Sequence, residues 1–181
     1  DNTRSRGLGD VYKRQQLFGR AFTAEALAAL ADPSWTVADL GCGTGDAASL
    51  LAASVKKVIA VDREPAMLRA ARKRLEDTEN VDFHAADLES LPLETASVDV
   101  AFILLVLHHL EDPQKAVNEA ARILKPKGTL VVVDMTPHER KEYRELMAHR
   151  HLGFSADQLK EWTKHCPLDL AHSRPLRPDP N

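Results

Sequence analysis

The stretch Val37-Ala38-Asp39-Leu40-Gly41-Cys42-Gly43-Thr44-Gly45 decides how this sequence is read. Residues 36–40 form a short, buried-type strand pattern carrying one acid. Three glycines at alternate positions then end the run, and a helical pattern follows over residues 46–54. A glycine turn between a strand and a helix lets a ligand approach the backbone, beside the free N–H groups of the helix start. Such a turn suits a nucleotide-like ligand. By itself it specifies no more than that.

Outward from the turn, strand and helix patterns alternate. Residues 57–61 read as a second strand ending at Asp62, and residues 64–77 as a helix with Pro65 in its first turn. Met67, Leu68, Ala71 and Leu75 are the expected inward residues of that helix. Residues 81–85 and 98–105 are the third and fourth strands, the latter nearly all apolar, as a central parallel strand should be. Residues 113–124 form a helix closed by Lys125-Pro126-Lys127-Gly128, and residues 129–135 a fifth strand. After that the pattern weakens. Residues 137–153 are polar and expected to be partly helical, Ser155 is an N-cap for a helix over 156–165 with Gln158 at the capping-box position, and residues 168–176 are a candidate sixth strand. Upstream, Phe22, Ala26, Leu27 and Leu30 fall at helical spacing. This alternation with short loops specifies an α/β fold: a Rossmann-like three-layer sandwich around a mostly parallel sheet.

Two details sharpen the ligand. The dinucleotide fingerprint wants glycine or alanine where Asp46 stands. Asp39, directly before the glycines, would repel a pyrophosphate and attract the ammonium of a methionine moiety, which favours S-adenosylmethionine over NAD. Asp62 stands where an acid takes ribose hydroxyls, a position that fits both cofactors. Asp87, after the third strand, can accept from an adenine amino group, with the Leu88 backbone N–H facing the ring. Each acid alone could be a solvated strand-end residue. Three acids at strand C-termini, where open α/β sheets bind ligands, point to one site.

These residues, with residues 104–110 and Leu124-Lys125-Pro126-Lys127-Gly128, resemble the successive motifs of class I S-adenosylmethionine-dependent methyltransferases, nearest the small-molecule branch that includes the ubiquinone/menaquinone enzymes. The resemblance implies S-adenosylmethionine bound by Asp39, Gly41, Cys42, Gly43, Asp62, Arg63, Met67, Asp87, Leu88 and Leu104. It implies strand order 3-2-1-4-5-7-6, here expected without the last, antiparallel strand, so that strand five keeps an open neighbouring position. A narrower resemblance lies in Phe18-Gly19-Arg20-Ala21-Phe22-Thr23-Ala24-Glu25-Ala26 and His151-Leu152-Gly153-Phe154-Ser155. These are similar to proteins that fuse an ArsR-type winged-helix regulator to a methyltransferase. It implies an upstream DNA-binding domain, with segment 16–30 as lid and linker. Phe18 and Phe22, one helical turn apart, share a face there and are equally readable as packing on the sheet edge. A homodimer of the intact protein is a separate expectation.

Methyl transfer from a sulfonium needs mainly alignment, and a base only where the acceptor must lose a proton. His108, His109, His149 and His151 are the candidates, each equally readable as a packed or solvated histidine. His149 and His151 lack an acid or cysteine partner at metal-ligand spacing, so no metal site is expected. Cys42 and Cys166 are too few for arsenite methylation, and Leu104-Leu105-Val106-Leu107 stands where nucleic-acid amino methyltransferases carry an Asn/Asp-Pro-Pro-aromatic element. The expected acceptor is a small molecule. The alternative is a non-catalytic S-adenosylmethionine-sensing module of a regulator.

Bulk properties agree. A net charge of −3 argues against a general nucleic-acid surface on this chain, and no apolar run has the length of a membrane span. Two cysteines make no disulfide framework, which with the absence of a secretory pattern gives a cytoplasmic expectation. Residues 1–15 show no periodicity, and residues 5–15 back-translate codon for codon into a transposon-end sequencing adapter. They are expected to be an adapter scar, leaving residues 16–181 as a methyltransferase domain cut at both ends.

Overall fold

The computed structural model describes residue 24, residues 28–164 and residues 166–175. Five strands form one sheet in the order β3-β2-β1-β4-β5: β1 (Thr36–Leu40), β2 (Lys57–Asp62), β3 (Val81–Ala85), β4 (Val98–Leu104) and β5 (Leu124–Val133). Every pairing is parallel. β1 is central, and its residues Val37, Ala38, Asp39 and Leu40 are all buried, because both of its faces are covered.

Helices α1 (Asp46–Ala52) and α2 (Pro65–Arg74) cover one face, burying Ala48, Ala52, Leu68 and Leu75 against Val37, Val58 and Val100. Helix α3 (Pro113–Ile123) covers the other, where Ala116, Val117, Ala120 and Ile123 meet Ala38, Leu40, Ala101 and Ile103. Small residues on α3 let it approach the sheet closely, and Asp112 caps it by accepting from Lys115 N. A short 3₁₀ turn (Leu107–His109) connects β4 to α3. Helix α4 (Tyr143–Leu146) is the one helical piece of the polar segment after β5, and α5 (Ala156–Thr163) packs against α3. The expected capping box is present: Ser155 accepts from Gln158 N, and Gln158 accepts from Ser155 N.

The structure corrects several expectations. Residues 168–175 are irregular, so the sixth strand does not form there; Leu168 packs on the core, while residues 169–175 are exposed and pair with no strand. Among the described residues β5 is therefore a sheet edge, and no antiparallel strand lies beside it. β5 begins at Leu124, not at residue 129, because Leu124 pairs with Val98 and Thr129 with Val100, leaving Lys125-Pro126-Lys127-Gly128 as a bulge. Met67 is not inward: it is 41% exposed, since it sits in the first turn of α2, beyond the sheet's covered face. Leu30 is also exposed, lying in the turn that follows helical Ala28. Phe18 and Phe22 lie outside the described residues, as do residues 1–15. Ala24 and Ala28 are helical and border a groove of about 360 Å³ with Ala47, Leu50, Leu51, Phe102 and Leu104.

Candidate functional site

All the strands point their C-termini at one edge, and the glycine turn lies there. Gly41 N and Cys42 N both donate to Val61 O, at 2.8 and 2.9 Å, which ties the turn to the end of β2. Gly41 adopts φ +80°, and a Cβ on it would lie 2.5 Å from Val106 Cγ2, so only glycine fits between β1 and the chain leaving β4. At Gly43 a Cβ would meet nothing within 4 Å: the middle of the turn opens on free space. α1 starts from Gly45 with no side-chain cap, leaving its first N–H groups to the turn.

Asp39 is 2% exposed, and its Oδ2 has no hydrogen-bond partner. Burial pushes its carboxyl up to about 6, against the Ala48 amide that holds it down, with the charges of Asp62 and Asp46 adding to the rise. A buried, half-satisfied carboxylate is an uncompensated cost unless something cationic meets it. Asp62 spans the turn: Oδ2 accepts from Gly43 N at 2.9 Å and Oδ1 from Glu64 N at 2.8 Å. Its side chain thus faces the glycines. Asp87 is exposed at the end of β3, where its Oδ1 accepts from Glu89 N, and Ala86 N donates to Asp62 O.

The other sequence-derived candidates divide. Cys42 is buried, with its thiol pushed up to about 12 by burial and by Asp39 and Asp62, so it is inert, and its amide is already used within the turn. Leu88 turns its side chain into the core. Met67 and Arg63 are exposed beside the end of β2. Leu104 ends β4, and its side chain borders the groove behind α1.

Of the four histidines, three come together. His108, His109 and His149 each offer a ring nitrogen within 4.8 Å of the others. Their ring centroids are 4.2 Å (108–109), 4.2 Å (108–149) and 5.1 Å (109–149) apart. His108, for which the sequence suggested no partner, has an acid beside it: His108 Nδ1 lies 2.7 Å from Asp134 Oδ1, both side chains 3% exposed. His109 is held below the usual histidine range by burial and by His108, and His149 by burial and by His108 and His109. Arg63 adds to the effect at His109, which brings the end of β2 into the electrostatic reach of this group. His151 stands apart, with Nε2 at 3.1 Å from Leu110 O and its ring against Phe154.

Sequence reasoning missed Asp134, Val106, His138 and Tyr143. Asp134 was signalled by its place at the end of an apolar strand run, the same place Asp39 and Asp62 occupy in theirs. His138 and Tyr143 join the group by ring contacts, Tyr143 at 5.4 Å from both His138 and His149. No periodicity marks them.

Residues 38–132, from β1 to β5, match the family model described as "Methyltransferase domain". The chain belongs to this methyltransferase family. The methyltransferase domain is 35% identical over 117 residues to a demethylmenaquinone methyltransferase of Clavibacter sepedonicus, covering 65% of this chain and 47% of that one. It superposes on a SAM-dependent methyltransferase from Aquifex aeolicus with a TM-score of 0.62 at 25% identity, over 83% of this chain and 79% of that one. It superposes equally on SpnF, a [4+2]-cyclase, with a TM-score of 0.66 at 26% identity, over 77% and 55%. The chain spans between about a third and a half of the length of the first curated relatives it matches.

S-adenosylmethionine is the cofactor expected of this methyltransferase domain, and the residues fit it. The orphaned Asp39 oxygen suits an ammonium, the space at Gly43 admits a ligand against backbone, and Asp62 keeps acceptor capacity at the turn. Among the described residues no helix is long and apolar enough to cross a membrane.

Proposed function

We propose that this domain transfers a methyl group from S-adenosylmethionine to a small-molecule acceptor, with the cofactor held on the turn by Asp39, Gly41, Gly43, Asp62 and Asp87. The observation that carries the reading is the bond from Gly43 N to Asp62 Oδ2 beside a buried, partnerless Asp39 oxygen. When bound, the cofactor supplies an electrophilic methyl on a sulfonium, whose neutral leaving group asks little acid–base help. Asp62 accepts from ribose hydroxyls while keeping the turn closed. Asp39 holds the ammonium, Met67 and Arg63 flank the nucleoside end, and the Leu88 amide with the Asp87 carboxylate meets the adenine edge. Leu104 contributes its strand-end carbonyl, and Cys42 acts only as filler under the turn. The histidines at the end of β4 stand on the acceptor side.

The small-molecule acceptor is supported by the net charge of −3, unfavourable for a nucleic-acid substrate. Attachment to an upstream winged-helix domain and a sensing role rest on the short motifs around Phe18 and His151 alone, and a cytoplasmic location on the two cysteines that make no disulfide framework. Titration calorimetry with S-adenosylmethionine and with NAD tests the cofactor. Release of S-adenosylhomocysteine over an acceptor panel then tests turnover. Tight S-adenosylmethionine binding with no turnover on any acceptor would favour the sensing module, and NAD binding would end the reading.

A further inference from the structure

Beside the glycine turn, three separate segments converge on a second polar centre. The 3₁₀ turn after β4 brings His108 and His109, the end of β5 brings Asp134, and the loop before α5 brings His149. We propose that His108, His109 and His149 form a site for a divalent first-row transition ion, with Asp134 orienting His108 from behind.

The protons are arranged for this. Asp134 Oδ1 accepts from Met135 N at 2.7 Å as well as facing His108 Nδ1 at 2.7 Å. In the neutral ring, an oxygen that accepts from both puts the His108 proton on Nδ1 and leaves Nε2 a lone pair for an ion. A carboxylate behind a ligating imidazole is the arrangement that fixes the ring and raises its basicity in metal sites. His109 Nδ1 donates to Ala148 O at 3.4 Å, so its Nε2 is likewise free. His149 is 5% exposed, and its Nδ1 is buried with no partner. A buried imidazole nitrogen without a partner costs free energy that ring packing does not return, and a cation among the three rings supplies what is missing.

The donor set selects the ion. Imidazole nitrogens suit zinc, copper, nickel and cobalt, not magnesium or calcium, which prefer oxygen. Neither cysteine belongs to the group. Zinc–nitrogen bonds of about 2.0–2.1 Å require ligand atoms roughly 3.4 Å apart in a tetrahedron. One ring nitrogen from each histidine lies within 4.8 Å of the other two, so closing a tetrahedral face needs at most about 1.4 Å of contraction, a side-chain adjustment. Three protein ligands leave a fourth position open, as in catalytic rather than structural zinc sites. If methyl transfer is the reaction, that position would give an anionic acceptor atom a cationic partner; this clause rests on the proposed function, and the ion site does not.

The test is Co²⁺ titration of the whole chain after chelation, followed by visible absorption, with Zn²⁺ competition and a thermal melt. The expected result is one saturable equivalent with a tetrahedral spectrum, displaced by Zn²⁺, and a raised Tm. Asp134→Asn should weaken binding by about 10–100-fold. His149→Ala should weaken it at least as much. His109→Gln is a second variant, at a half-buried position, should His149→Ala not fold by circular dichroism. Equal Co²⁺ affinity in the wild type and in the folded histidine variants would overturn the site. So would an octahedral spectrum unaffected by Asp134→Asn, which would mean scattered surface histidines with water filling the centre. Loss of S-adenosylmethionine binding with Co²⁺ binding intact would count against the cofactor reading instead.

Discussion

Asp62 and Gly43 are joined by a 2.9 Å hydrogen bond across 19 residues of sequence, from the backbone amide of the turn to the carboxylate that ends β2. The bond makes Asp62 both a clasp of the glycine turn and an acceptor beside it. Asp62→Ala should therefore do two things: abolish measurable S-adenosylmethionine binding, and lower unfolding free energy by about 1–3 kcal/mol through the stranded Gly43 amide. Asp62→Asn keeps one acceptor oxygen and should keep most of the stability while losing affinity at least tenfold. Calorimetry and urea melts on both variants separate the two roles. Equal binding in Asp62→Ala and the wild type would remove Asp62 from the cofactor site.

Gly41 tests the same turn sterically. Its φ of +80° and the 2.5 Å approach to Val106 mean that Gly41→Ala meets a backbone cost and a clash. The expected loss is about 1–3 kcal/mol from overpacking, with a further 1–2 kcal/mol or so for the left-handed conformation. Adding Val106→Ala should restore the first part and not the second. A double-mutant cycle by urea denaturation reads the coupling directly. Strict additivity would show that Val106 does not set the space at Gly41.

The strand-end acids and the glycine turn were legible because strand and helix periods are local and the turn interrupts them visibly. Asp62 could be placed from β2 alone, since a parallel strand beginning at Lys57 and ending at residue 62 delivers its last side chain to the sheet edge. The histidine centre was not legible. His108 and His149 are 41 residues apart, brought together by Arg150 N and His151 N donating to His108 O, and nothing in either segment's period announces that pairing. The candidate strand over 168–176 failed for a related reason. A strand pattern at a sheet edge needs a partner register, and its exposed residues, Leu170 among them, have none among the described residues.

Asp39 gives the site a pH dependence. Its folded carboxyl titrates at about 6, raised from 3.8 by burial. The raised value means that the cofactor-free fold loses stability as pH rises from 3.8 to about 6, and regains it progressively on acidification from about 6 down to 3.8. A bound ammonium favours the ionised form. S-adenosylmethionine affinity should therefore fall as pH is lowered through about 6, with protons released on binding near that pH. Calorimetry in two buffers of different ionisation enthalpy measures the protons. Asp39→Asn should flatten the profile; an unchanged profile in that variant would assign the pH dependence elsewhere.

Gly153 holds the histidine segment in place. It sits at φ +86°, and a Cβ there would lie 2.2 Å from Thr136 O, on the chain leaving β5. Around it, Phe154 N donates to Met135 O at 2.8 Å and His138 N to Leu152 O at 3.0 Å, while Arg150 N and His151 N donate to His108 O. Gly153→Ala must push these two segments apart. The backbone it contacts cannot swing aside as a side chain could, so a loss of about 2–5 kcal/mol, toward the upper end, is expected from clash and left-handed strain together. The damage should be local. Hydrogen exchange at the amides of Arg150, His151 and Phe154 should accelerate, whereas Gly41 and Cys42, bonded to Val61 O on the other side of β4, should keep their protection. S-adenosylmethionine affinity should change less than threefold, because no cofactor-turn residue leans on Gly153. A uniform loss of protection, reaching Gly41 and Cys42 as strongly as Arg150, would mean that the post-β5 segment and the glycine turn unfold as one unit, and that the histidine centre cannot be loosened without the cofactor site.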